Sequence, residues 1–198
     1  MAVRHVYVVR HGAADAFGGL TDVGRQQTKL LAERLVCLPV DVVWHSPLPR
    51  AVRSAQIIGE HLPGVAVSEA VELVDHVPHV PNNPPPAWRG FFDGYDAEEA
   101  AAGARLASTL VRRFACPTET ETHEVLVTHG YQVAWLVRHA LDAPPERWLS
   151  LLGCGNAALT AIDYYDGAAP TLLLYNDMGH LPTDLRWTGF GPGVHPWL

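Results

Sequence analysis

The sequence predicts an α/β fold with a mainly parallel sheet. Three observations carry that expectation: short β-branched runs alternate with amphipathic segments along the chain, the runs are apolar enough to be buried on both faces, and three of them end in polar groups. His5-Val6-Tyr7-Val8-Val9 reads as a central strand feeding the loop Arg10-His11-Gly12. A Gly-rich loop follows, and Thr21 is the expected N-cap of a helix reaching about Val36; Gly24 at N3 leaves the capping box incomplete. Asp41–His45 reads as a second strand. Ser46 is then the expected cap of a helix with Pro47 at its first position, carrying an apolar stripe of Leu48, Ala51, Val52, Ala55, Ile58 and Leu62 up to Pro63-Gly64.

Residues 76–95 differ in character. Val77-Pro78-His79-Val80-Pro81-Asn82-Asn83-Pro84-Pro85-Pro86 cannot sustain a helix or a central strand, because proline removes backbone donors. Periodic apolar segments continue on both sides, so the stretch reads as an ordered surface excursion suited to substrate selection, inside one domain spanning 1–198. Asp96 is the expected start of a helix to about Ala115, with Glu98-Glu99 early and Arg112-Arg113 late, as the helix dipole favours. Glu124–Thr128 is a third buried strand closed by His129-Gly130, and Tyr131–Leu141 a helix. Ala157–Tyr164 and Thr171–Tyr175 are final strands joined by an Asp166-Gly167 turn.

Bulk properties exclude several classes. The chain of 198 residues has no apolar run near the roughly 20 needed to span a bilayer, and its N-terminus lacks the apolar segment of a signal peptide. Cys37, Cys116 and Cys154 are odd in number and form no Cys-x-x-Cys pair, which points to a reducing, cytoplasmic setting and away from a cysteine zinc site. A formal net charge of -7 disfavours nucleic-acid partners. Oligomeric state is not legible.

In open α/β sheets, ligands bind beyond the carboxyl ends of the strands. Here three such ends carry Arg10-His11, His45-Ser46 four residues before Arg50, and Thr128-His129. Two arginines and two histidines on one rim would form a dianion site, since guanidinium forks match phosphate oxygens. Rival chemistries fail by inspection. A cysteine phosphatase needs arginine six positions after its cysteine, where Val43, Thr122 and Thr160 stand. Asp184-Leu185-Arg186-Trp187-Thr188 has arginine where an aspartyl phosphatase needs a second aspartate, and neither a Walker loop nor a Gly-x-Ser-x-Gly elbow occurs. His76-x-x-His79 beside Asp75 lacks a regular element to hold metal ligands, so no metal or other cofactor is expected.

Arg10-His11-Gly12, Leu20-Thr21-x-x-Gly24-x-x-Gln27, Ser46-Pro47-Leu48-x-Arg50-Ala51 and Val127-Thr128-His129-Gly130 together resemble the ordered motifs of the histidine phosphatase, or phosphoglycerate-mutase-like, superfamily. Asn156 and Asn176-Asp177-Met178-Gly179-His180-Leu181 are similar to its C-terminal pattern. His45-Ser46, Ile57-Ile58, His61-Leu62-Pro63-Gly64-Val65 and Trp148-Leu149 resemble its mitochondrial Ser/Thr protein phosphatase branch.

The resemblance implies a three-layer α/β/α domain. It also implies a metal-independent phosphatase in which His11 attacks phosphorus and becomes phosphohistidine. Arg10, Arg50 and His129 would bind the phosphoryl oxygens, with Gly12 and Gly130 beside them. Phosphomonoester hydrolysis needs acceleration approaching ~10²¹-fold, about 28 kcal/mol, whereas a general acid supplies about 10²–10⁴ and an arginine about 10³–10⁵. Several groups must therefore act together. The family's carboxylic acid falls at Asp75, with Glu72 the alternative; three residues apart, the two cannot face the same way on one strand. A phosphorylated small molecule or a phosphoprotein is the expected substrate. A mutase-type phosphoryl transfer and a phosphoryl-binding module without turnover are the alternatives; the short Gly12–Leu20 segment speaks against the first.

Overall fold

The computed structural model describes residues 2–189, so both ends of the expected 1–198 span lie outside the described residues. Its sheet has six strands in the order β3-β2-β4-β1-β5-β6. They are β1 (Val3–Arg10), β2 (Val42–His45), β3 (Ala66–Glu69), β4 (Thr122–Thr128), β5 (Leu159–Tyr165) and β6 (Thr171–Asp177). β3, β2, β4 and β1 run parallel, and β5 and β6 complete the sheet as an antiparallel pair. The helices are α1 (Asp22–Leu35), α2 (Pro49–His61), α3 (Ala97–Phe114) and α4 (Gly130–Ala140). None of the described helices is long and apolar enough to cross a membrane.

The two-residue period of β1 builds both faces at once. Val6 and Val8 join a core with Leu110 and Phe114 of α3 and Val133 and Leu136 of α4, whereas Tyr7 and Val9 join one with Leu31 and Leu35 of α1 and Ala55 and Ile58 of α2. Three layers result, with the sheet in the middle and the polar strand ends gathered on its carboxyl rim.

Thr21 caps α1 through the Gly24 amide, at 3.0 Å, and Asp96 caps α3 through Glu99. The Ser46 cap is corrected. α2 begins at Pro49 with Leu48 at its cap, because Pro49 supplies the fixed φ of the first helical turn, and the Ser46 hydroxyl instead accepts from Leu48 N within the preceding turn. β3 has no counterpart among the expected elements: it is four residues long, at the sheet edge, with three of them exposed, so it carries no apolar alternation. Residues 76–95 form short turns, including a 3₁₀ turn at Pro86–Trp88. An edge-to-face aromatic chain ties them down: Trp88 to Phe91 at 5.1 Å, Phe91 to Tyr131 at 6.2 Å, and Tyr131 to Trp148 at 5.2 Å.

Candidate active site

β1 delivers Arg10 and His11 to the carboxyl rim, beside Thr128 and His129 at the end of β4. The His11 amide donates to Thr128 O at 3.0 Å, and Asn156 Nδ2 donates to His11 O at 2.9 Å. Next along the chain, the Gly12 amide donates to Ser54 Oγ of α2. A Cβ on Gly12 would collide with the Gly24 carbonyl, and one on Gly24 with the backbone of Ala13. The glycines of the first two motifs are thus required by one close approach between the β1 loop and the start of α1.

His11 is buried, and its Nδ1–H donates to Gly12 O at 2.7 Å. That bond assigns the tautomer and leaves Nε2 as the bare nitrogen, which accepts from Arg50 Nε at 3.0 Å. Burial pushes the imidazole down to about 3; Arg10 and Arg50 push the same way, and the Gly12 carbonyl opposes them. His11 is therefore neutral at physiological pH, with a lone pair toward the guanidinium.

His129 is held down to about 2, first by burial and then by His11, Arg50 and Arg10. Its Nε2 lies 2.8 Å from Ser46 Oγ. Since that hydroxyl already accepts from Leu48 N, its proton is free for Nε2, which leaves Nδ1 as an N–H. This buried Nδ1 has no hydrogen-bond partner. Asp75 Oδ2 stands 3.7 Å away, near a neutral ring rather than in an ion pair with it.

Arg10 donates from Nη1 to Cys154 O at 2.6 Å and from Nη2 to Gly189 O at 3.0 Å. Its Nε is buried and unpartnered, and burial lowers the proton affinity of the group. Among the described residues no carboxylate is within ion-pair distance of Arg10. Arg50 meets Asp75 at 2.9 Å. A cavity of about 240 Å³ is lined by Arg10, His11, Asp75, His129, Gly130, Tyr131, Leu152 and Gly189, and an adjoining one of about 230 Å³ adds Arg50 and Asn156. Uncompensated cationic and N–H groups around a small cavity fit a phosphoryl dianion.

The structure thus brings Arg10, His11, Arg50, Asp75, His129 and Gly130 together, with Gly12 just behind. Glu72 is elsewhere: it is buried under Arg113 at 2.7 Å. The premise of one strand for Glu72 and Asp75 is corrected, because Val71–Leu73 is a 3₁₀ turn and the chain bends between them. Arg53 points to Glu60 in solvent. Asp75, His76 and His79 do not gather into a metal-ligand cluster among the described residues; His76 Nδ1 donates to Val74 O and His79 faces Glu146. Sequence reasoning missed Ser46 as the partner of His129. It also missed the closing segment in which Gln27 Nε2 donates to Leu185 O and Thr188 Oγ1, and Thr188 donates to Asn156 Oδ1. The only signal for that network was the motif membership of Gln27 and Asn156.

The family model described as "Histidine phosphatase superfamily (branch 1)" matches residues 6–77 and 78–178. The rat protein "Serine/threonine-protein phosphatase PGAM5, mitochondrial" is 29% identical over 194 residues, covering 92% of this chain and 66% of the relative. A Caenorhabditis elegans relative of the same name is 30% identical, covering 91% and 65%. The chain therefore spans just under two thirds of the length of these relatives. Both are named mitochondrial, which overturns the expectation of a cytoplasmic chain drawn from cysteine usage; isolated cysteines report a reducing setting and not a compartment. Among solved structures, Bacillus stearothermophilus YhfR superposes with a TM-score of 0.69 at 21% identity, covering 89% of this chain and 98% of that one. An Entamoeba histolytica phosphoserine phosphatase superposes at 0.68 and 20%, covering 90% and 100%; both likenesses concern the fold. With the family match running through all four motif regions, the chain belongs to the histidine phosphatase superfamily, branch 1.

Proposed function

We propose that this chain is a metal-independent phosphatase that hydrolyses phosphomonoesters through a phosphohistidine on His11. The observation that carries the reading is the His11 ring: Nδ1 is committed to Gly12 O and Nε2 is left as a base beside Arg50. An entering phosphate draws Arg50 Nε from the ring onto its own oxygens, and this uncovers the lone pair. Arg10 Nε, Arg50 and His129 Nδ1–H then hold the equatorial oxygens while Nε2 attacks in line. The N–P bond forms as the P–O bond to the leaving group breaks.

Asp75 accepts from Arg50 Nη2 at 2.9 Å and lines the same cavity as His11. Once Arg50 turns to phosphate, this carboxyl is released beside the phosphoryl group, where it serves as the general acid. It donates a proton to the leaving oxygen. It then takes one from the water that attacks phosphorus, and phosphate and free His11 are regenerated.

The short loop after Gly12 is closed by an Ala14–Leu20 bridge and by Asp15 accepting from Phe17 N and Gly19 N. It offers no long substrate loop, which supports hydrolysis over mutase transfer. Relatives named serine/threonine-protein phosphatases make phosphoserine and phosphothreonine peptides the first substrates to test, ahead of small phosphorylated metabolites. With chelator present, steady hydrolysis of an aryl phosphate is expected, reduced by at least about 10³-fold in His11→Ala. Phosphate binding without release by the native chain, or undiminished release by His11→Ala, would sink the proposal.

A further inference from the structure

Asp75 lines a third cavity besides the two around His11. This one, of about 190 Å³, is built by the chain after β3 and by the first turns of α3. Glu99, Ala102, Gly103 and Leu106 line it from one stripe of the helix, at spacings of three, four and seven residues. At Gly103 the helix lies directly against the chain, since a Cβ there would strike the Val77 carbonyl. Buried Val77 and half-buried Ala102 and Leu106 make an apolar wall, and Asp75, Tyr95 and Glu99 a polar one.

Charge is divided unevenly over the three cavities. Among the described residues the only cations lining them are Arg10 and Arg50, and a phosphoryl dianion uses both. Asp15, Asp75 and Glu99 are then the charged groups left for the rest of a substrate to meet. Glu99 is exposed and has no basic partner among the described residues. His76, which also lines the third cavity, is pushed down chiefly by burial and adds no charge at physiological pH. The Tyr95 phenol is pushed up by burial, then by Glu99 and Asp75, so both carboxylates bear on this side chain and it stays protonated.

We propose, building on the phosphatase reading above, that the third cavity receives the side chain of a lysine or arginine next to the phosphorylated residue of a peptide substrate.

Such a side chain is apolar along its stem and charged at its tip. The stem matches Val77, Ala102 and Leu106, and the tip meets Tyr95, Glu99 and Asp75, where the carboxylates favour a cation. Consecutive Cα atoms are about 3.8 Å apart. A residue adjoining phosphoserine therefore starts within one side-chain length of a cavity that shares Asp75 with the phosphoryl site. Glu99 and Tyr95 thereby set specificity, and a substrate with a carboxylate in this place is rejected by repulsion.

Steady-state kinetics on phosphoserine peptides that differ only in their flanking residues tests the proposal. With lysine on both sides, kcat/KM should exceed that of the glutamate-flanked peptide by about tenfold or more, and added salt should narrow the gap. Glu99→Gln should shrink this ratio by about threefold, and Glu99→Lys should bring the two peptides to about parity. A folding defect would lower both peptides together and leave the ratio as it was. Equal kcat/KM for the two peptides in the native chain, or a native ratio in Glu99→Lys, would overturn the assignment, while His11-dependent turnover of an aryl phosphate would leave the phosphatase reading standing. Turnover of aminoethyl phosphate but of neither peptide would move the cation to a small molecule and equally overturn it. Hydrolysis of no ester at all would remove the phosphatase reading and the assignment with it.

Discussion

Asp75 and Glu72 stand three residues apart and have unrelated surroundings. Asp75 faces the cavity and pairs with Arg50, whereas Glu72 is buried beneath Arg113, whose guanidinium lies over Trp44 at 4.4 Å. Their substitutions should therefore separate cleanly. Asp75→Asn should slow hydrolysis of alkyl phosphates by about 10²–10⁴-fold and that of a nitrophenyl ester far less, because a good leaving group needs no proton. Glu72→Gln should spare turnover on both and cost about 1–3 kcal/mol of stability, since it weakens a charged hydrogen bond in a buried place. Steady-state kinetics on the two esters and urea unfolding of both variants check this; equal loss on both esters in Asp75→Asn would remove it as the proton donor. The place of Asp75 in the cavity was readable from the family resemblance. Glu72's partner was not, because Arg113 arrives from a helix 41 residues further along.

At the scale of elements, the site depends on how closely β1, α1 and α2 approach. Gly12 and Gly24 meet where either side chain would strike backbone, and Ser54 of α2 accepts from the Gly12 amide. Gly24→Ala should thus destabilise the chain by about 1–3 kcal/mol, as overpacking does, and displace His11. A lowered urea midpoint together with reduced turnover is the expected result; a native midpoint with full activity would contradict it. β1 and β4, which carry Arg10, His11 and His129 to the rim, were legible because each is a short apolar run largely buried on both faces. β3 was not, being an exposed four-residue edge. The start of α2 was misplaced because Ser46-Pro47 mimics a cap and first turn, while Pro49 two residues later decides the boundary.

Over the whole molecule, the rim gathers groups that fold in uncharged or unpaired. His11, His129 and His180 sit at about 3, about 2 and about 4, chiefly through burial, against about 6.5 in an unfolded chain. Between those values the unfolded chain binds more protons, so stability is complete above about pH 6.5 and falls as pH drops toward 4. Removing one such group should flatten the slope: relative to the native chain, His11→Asn should gain about 2 kcal/mol between pH 7 and pH 4.5. Urea midpoints at the two pH values measure this, and parallel profiles would contradict it. The same long-range assembly explains what the sequence withheld. Gln27, Asn156, Thr188 and Gly189 meet around Arg10 and His11 only after the chain has returned across the sheet, a juxtaposition that no local pattern encodes.

The central claim is that phosphorus passes through His11 Nε2. Rapid mixing with an activated aryl phosphate, an alkaline quench to preserve N-linked phosphate, and peptide mass spectrometry address it directly. One phosphoryl group is expected on the peptide containing His11, formed no more slowly than turnover and absent in His11→Ala. Full turnover with no phosphate on His11 at any time, or phosphate on another residue at kinetically competent levels, would contradict the account.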